Sequence, residues 1–228
     1  MQYQPAAMPP PTTALRPAQG LATAASVLLA VTAAVYVFAV YGGFVQHGVI
    51  GDPWSHSRAD VRHADALYAN AGNLQTLALL ATAAVFIIWF HRVRTNADVL
   101  AADVCTRGRG WTIGGWFIPI ANLWIPYQVA GEIWTASAQT APDGSWRAVS
   151  QRPLTVWWGV WMTSLLIGRA AWAWSRNADT LDELRRATDF MIFSDALGAA
   201  AAILAIVFVR RLTAMQDVKA AEGPSASS

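Results

Sequence analysis

Four stretches of this chain, Leu21–Val45, about Gly72–Phe90, Leu154–Trp174 and Phe190–Val209, are almost wholly apolar. Each is close to the ~20 residues that a helix needs to cross a hydrocarbon core about 30 Å thick. Nothing else in the sequence constrains the fold as much. In lipid every backbone N–H and C=O must be satisfied within the chain, so a spanning segment of this kind is helical. The expected fold is therefore an all-α integral membrane protein. Composition agrees, since 55% of the residues are hydrophobic and 13% charged, against about a quarter charged in soluble domains. The net charge of +2 is small and dispersed, which argues against nucleic acid as a partner. Cys105 is the single cysteine, so no intrachain disulfide can form.

A fifth stretch, about Ile113–Ile133, is long enough to span but contains Pro119, Asn122, Pro126, Gln128 and Glu132. Lysine and arginine accumulate on the cytoplasmic side of membrane proteins, and that bias tests the topology. If the stretch spans, eight basic residues fall inside and seven outside. If it enters and leaves on one side, ten fall inside and five outside, with Arg169 left within a span. The expectation is four transmembrane helices in two hairpins, with residues 113–133 as a proline-broken re-entrant or interfacial helix. Both termini are then cytoplasmic and the location is the cell membrane. Five spans are the alternative. Residues 1–20, rich in proline, and residues 214–228 read as disordered tails around a membrane domain at 21–213.

The polar connectors Asp52–Asn73 and Ser175–Phe190 lack breakers once past Pro53 and Ser57, so both read as helical extensions leading into the second and fourth spans. A shift of 118 residues aligns the two hairpins without gaps, which indicates similar shapes on either side of the central segment. Arg169 lies five residues before the end of its span and Asp195 five after the start of the next. That places both at one depth, and the cost of about 2.5–3.5 kcal/mol for a charge in a span favours an intramembrane ion pair. Trp157, Trp158 and Trp161 at one end of the third span, and Trp172 and Trp174 at the other, read as interfacial belts. Gly198 and Ala202 form a small-xxx-small pair suited to close helix packing.

Proline lacks an N–H and clashes with the carbonyl four residues back. In a continuous helix Pro119 would free the carbonyl of Gly115, and Pro126 that of Asn122. Freed groups of this kind form ligand sites in broken transporter helices. The candidate pocket is thus Pro119, Asn122, Pro126, Tyr127, Gln128 and Glu132. A packing stripe competes with it, because Trp116, Leu123, Tyr127, Ala130 and Trp134 share one helical face. His56, Asp60 and His63 also share a face, but two turns separate the histidines by about 10 Å, too far for one ion unaided. No nucleotide-binding loop, serine triad signature or zinc-protease helix is present. No enzymatic role and no cofactor or metal is expected.

The run "GGWFIPIANLWIPYQVAGEIWTAS" resembles the signature of an uncharacterised multi-pass membrane family common in actinobacteria, domain of unknown function 4328. Gly115, Trp116, Pro119, Asn122, Leu123, Pro126, Trp134 and Ser137 carry the likeness. "IIWFHRVRTNADVL", through Trp89, Arg92, Arg94 and Asn96, resembles a companion motif, and "VWWGVW" a third. The resemblance covers about residues 25–215 and implies a multi-pass membrane protein without a known activity. The functional expectation is a non-enzymatic scaffold or regulatory component acting in the lipid bilayer with a membrane-protein partner or as a homo-oligomer. The alternative is permeation or handling of a small solute, ion or lipid through the proline-broken segment. A polar, water-accessible cavity meeting Asn122 would favour the alternative, and a tightly packed apolar interior with an exposed small-residue face the scaffold.

Overall fold

The computed structural model describes residues 15–138 and 149–222. Those residues form six α-helices and no strand: α1 (Gln19–Gly51), α2 (Arg58–Leu100), α3 (Trp111–Phe117), α4 (Ile125–Ala136), α5 (Arg152–Arg176) and α6 (Leu181–Glu222). A short 3-10 turn, Ala121–Leu123, joins α3 to α4. The second helix of each hairpin begins with a capping box, which satisfies backbone groups that a helix start leaves unpaired. In α2 the Ser57 N–H donates to Asp60 Oδ2 (2.9 Å) while the Asp60 N–H donates to Ser57 Oγ (3.3 Å). In α6 the Thr180 N–H donates to Glu183 Oε2 (3.3 Å) and the Glu183 N–H donates to Thr180 Oγ1 (3.2 Å). These boxes start two helices of 43 and 42 residues, so the polar connectors are helical extensions of apolar rods, as their composition indicates.

Helix α6 packs along both α1 and α5, and α1 also packs along α2. Glycines permit the closest approaches. A Cβ at Gly198 would lie 2.6 Å from the Tyr36 ring, and one at Gly43 would lie 2.5 Å from Ile192. Between α5 and α6 the contact is polar and reciprocal. Ser164 Oγ donates to the Ser194 carbonyl (3.1 Å), and Ser194 Oγ donates to the Ser164 carbonyl (2.9 Å). Helices α2 and α5 stand further apart and meet through large rings, with Phe86 and Trp157 centroids 5.7 Å from each other.

Three helices, within Gln19–Gly51, Arg58–Leu100 and Leu181–Ala221, are long and apolar enough to cross a membrane. Helix α5, expected as a fourth, falls outside that set. Its 25 residues would reach about 37 Å, but five tryptophans and Arg169 lower its mean hydropathy. Val27, Val37, Leu77, Leu80, Leu166 and Ile203 all point outward and are exposed. An outer surface of that kind is unsuited to water and is ordinary in lipid.

Residues 113–133 are not one helix. Thr112, just ahead of them, bonds to His91 of α2 (2.9 Å). The chain then descends to Trp116, whose ring packs on Phe86 and Trp161 (both 5.8 Å). It turns back through Pro119 and the 3-10 turn, and climbs along α5. Trp158 Nε1 donates to the Leu123 carbonyl (3.3 Å), and further up Gln151 Nε2 donates to Thr135 Oγ1 (3.3 Å). Ser137 ends at the level of Val93, joined through Gln216. The segment is therefore a helical hairpin whose two ends lie at one end of the bundle. Pro126 occupies the first turn of α4, where its missing N–H has no partner to lose. The carbonyl of Asn122 is thus not freed by a mid-helix break.

Two other expectations change. Trp157 and Trp158 are buried in an aromatic core with Trp89, Phe90 and Phe208, and are not part of an interfacial belt. The hairpin brings rings to them that a lone span would lack; Trp172, in contrast, is exposed. Helix α6 continues past position 213, the expected end of the membrane domain, to Glu222. Gln216 Nε2 donates to the Val93 carbonyl (2.8 Å), and Lys219 Nζ donates to that of Ala136 (2.8 Å). At the other terminus, the Arg16 N–H donates to Asn96 Oδ1 (3.0 Å) and α1 begins at Gln19. Residues 1–14 and 223–228 of the expected tails lie outside the described residues.

Candidate functional site

Because α2 and α5 stand apart, a groove runs between them with α1 and α6 as its floor. Its apolar half is a cavity of about 310 Å³ walled by Phe86, Trp157, Trp161, Ala201 and Ala202, with the hairpin-tip residues Trp116, Phe117 and Asn122 closing it. Its polar half, of about 320 Å³, is lined by Gln75, Ser164, Arg169, Trp172 and Asp195. Tyr36 and Leu79 border both halves, so the two adjoin.

Asp195 and Arg169 both line the polar half. They do not form an ion pair, however. The ion pairs among the described residues are His47–Asp189, Arg94–Asp98, Arg107–Glu132 and Arg109–Asp98. Asp195 Oδ1 instead accepts from Gln75 Nε2 at 2.8 Å. The reason is angular. Ser164, Gly168 and Ser194 occupy the line between α5 and α6, where a Cβ at Gly168 would lie 2.7 Å from Ser194 Oγ. Each charged residue is one position further along its helix, about 100° around the axis. Both therefore face the groove and not each other.

The pocket expected from the sequence divides in the structure. Asn122 lines the groove, and among the described residues its amide makes no hydrogen bond. Pro119 lies in the exposed turn, and Pro126 is buried at the start of α4. Tyr127 stacks near Trp158 (5.9 Å) and its hydroxyl meets Thr155 Oγ1 at 3.2 Å. Gln128 and Glu132 face away from the groove, because α4 climbs back toward the loop before α3. There Arg107 Nη1 donates to Glu132 Oε1 and Nη2 to Gln128 Oε1, both at 2.6 Å.

That loop belongs to a polar cluster binding the hairpin to α2. Buried Arg94 bonds to Asp98 and to the Arg107 carbonyl, while Arg109 Nε donates to Asp98 Oδ2 at 2.5 Å. Burial works to raise the Asp98 carboxyl, but the hydrogen bonds and charges of Arg109 and Arg94 outweigh it and hold it below the ordinary range. Burial pushes the neighbouring Cys105 thiol up to about 11, a poor nucleophile at neutral pH. Asn96 Nδ2 and Gln216 Oε1 (3.2 Å) complete the cluster. The arrangement is structural: each charged side chain bonds within the cluster, although the Nε of Arg94 is buried with no hydrogen-bond partner among the described residues.

His56 and His63 come no closer to a metal site. His56 Nδ1 contacts the Asp52 carbonyl (2.7 Å), and the Asp60 carboxylate is engaged in the α2 cap. Among the described residues no group of three His, Cys, Asp or Glu side chains is placed to hold an ion. Sequence reading missed Tyr36 and Gln75 of the groove. Gln75 did carry a signal, as a polar side chain inside an apolar run on the helix opposite Asp195.

Compared with known proteins, the chain matches the model of a family described as a domain of unknown function (DUF4328) over residues 53–214. No curated protein and no solved structure matches it.

Proposed function

Since the chain belongs to the DUF4328 family, a family without an assigned activity, we propose from its geometry that it is a multi-pass membrane protein that holds a lipid-like amphiphile in the groove between α2 and α5. In this reading α1, α2, α5 and α6 cross the cell membrane and the α3–α4 hairpin enters from the cytoplasmic side. The hairpin supports that orientation by carrying Arg107, Arg109 and Arg152 to the same end as Arg92, Arg94, Arg210 and Arg211, an arginine-rich end that the positive-inside rule assigns to the cytoplasm. Helix α5 serves as the fourth span because its length suffices and Trp157, Trp158 and Trp161 face protein.

The observation carrying the proposal is an apolar cavity that adjoins a polar one, with Tyr36 and Leu79 bordering both, inside a bundle whose outer surface suits lipid. A molecule with a polar head and an apolar chain matches that sequence of environments. Along α6, Asp195 to Ala205 is ten residues, or about 15 Å, close to the hydrocarbon depth of one leaflet. A purely scaffolding protein has no need of such a space, and Asn122 meets it with a side-chain amide that makes no hydrogen bond among the described residues. In this reading the groove is a binding site.

The test is a filled groove. Ala83 lies on the α2 wall and is exposed within it, so Ala83→Trp occupies the apolar half without disturbing the core. Mass spectrometry of gently purified protein should find about one acyl amphiphile per chain in the parent, and little in the variant. An equal content in both would refute the reading.

A further inference from the structure

The polar half of the groove presents two opposite charges that face one cavity and leave each other unpaired. Arg169 is exposed on α5 and, among the described residues, has no hydrogen bond, ion pair or ring contact. Asp195 is half-buried on α6, and its bond from Gln75 uses Oδ1, whereas a carboxylate offers about four acceptor positions over two oxygens. A charge inside a span is costly unless something answers it. Here the protein places a cation and an anion side by side and then withholds each from the other, through the Ser164–Gly168–Ser194 contact. A ligand with a single charge would satisfy one and repel the other.

We infer that this half of the groove is a headgroup site for a zwitterionic phospholipid with a primary ammonium, Arg169 receiving the phosphate and Asp195 the ammonium. The inference rests on the amphiphile reading above and supplies its chemical class. A guanidinium matches phosphate geometry through its fork of N–H donors. A primary ammonium brings three donors, enough for the open Asp195 oxygen and for neighbouring acceptors such as Tyr36 Oη. A trimethylammonium head donates no hydrogen bond, and a glycerol head brings no cation. The acyl chain then runs past Tyr36 and Leu79 into the apolar half, where the re-entrant tip ends the slot.

The experiment uses the full-length chain, purified in mild detergent and stripped of lipid. Phosphatidylethanolamine, phosphatidylcholine and phosphatidylglycerol with identical chains are then titrated, and binding is read by native mass spectrometry. The ethanolamine lipid should bind about tenfold more tightly than either of the others, the order of one charge-assisted hydrogen bond. Asp195→Asn retains an acceptor for Gln75 and should reduce that preference to near unity. Arg169→Gln should weaken all three lipids alike. Equal binding of the three by the parent chain, abolished by Ala83→Trp, would overturn the headgroup assignment and leave the groove reading standing. Preference for the glycerol lipid, or a preference unchanged in Asp195→Asn, would also overturn it. Binding of none would remove both readings.

Discussion

Replacing Glu132 by alanine should release the returning arm of the hairpin while leaving the bundle folded. Glu132 receives three hydrogen bonds from the loop before α3: from Thr106 Oγ1 (2.6 Å), Arg107 Nη1 (2.6 Å) and the Arg107 N–H (3.3 Å). Its side chain is 12% exposed and that of Arg107 is 34% exposed. Hydrogen bonds to a charged group contribute about 1.5–3 kcal/mol each, so the two short ones represent about 3–6 kcal/mol. Arg107 is partly hydrated, and solvent restores some of that in the variant, leaving a loss of about 2–3 kcal/mol. Alanine is a good helix former, so the loss is not one of helix propensity. In hydrogen–deuterium exchange, a peptide covering residues 125–136 should open at least about 30-fold more often, the factor that 2 kcal/mol represents. Glu132→Gln keeps an acceptor and should show a smaller effect. If Glu132→Ala changes exchange in α4 by less than about threefold, the Arg107 clamp does not hold the hairpin and the reasoning is wrong.

Gly198→Val should lower thermal stability in detergent by about 1–3 kcal/mol, because the new Cβ would lie 2.6 Å from the Tyr36 ring; an unchanged melting temperature would show that α1 and α6 are not in close contact there. Ser57→Ala removes one half of the α2 capping box and should cost about 1 kcal/mol, visible as faster exchange in the first turns of α2 and little elsewhere. Asp98 has its carboxyl held below the ordinary value of 3.8, so its contribution is complete above that value and is lost as pH falls through the lower, folded-state one. Acid titration of stability should therefore be steeper below that value in the parent chain than in Asp98→Asn; parallel curves would contradict the shift.

The helices themselves were legible, because apolar length and uninterrupted polar connectors leave few other structures in lipid. Reversal of residues 113–133 was legible too, through the arginines on either side and through Pro119. What periodicity could not supply was rotation about an axis. The stripe from Trp116 to Trp134 presumes a continuous helix, and it loses meaning once the chain turns between Phe117 and Ile125. Depth and azimuth separate again at Arg169 and Asp195. Residue counting places the two at one level, but their facing is set by Ser164, Gly168 and Ser194, whose contact is tertiary. Trp157 and Trp158 are ambiguous for a related reason. Tryptophan serves belts and cores equally well, and only the arrival of the hairpin decides for the core. Glu132 and Gln128 read as pocket lining because they are polar in an apolar run, yet their partner, Arg107, lies in a loop with no pattern to announce it.

The α3–α4 hairpin closes the groove, and the proposed four-span arrangement requires both of its ends to lie on one side of the membrane. In a Cys105→Ser background, Gly108→Cys precedes the hairpin and Ser150→Cys follows it; both positions are exposed. An impermeant thiol reagent applied to intact cells should label neither cysteine and, after permeabilisation, should label both. Labelling of one from outside and the other only after permeabilisation would make residues 113–133 a span, and the account of the groove would fail with it.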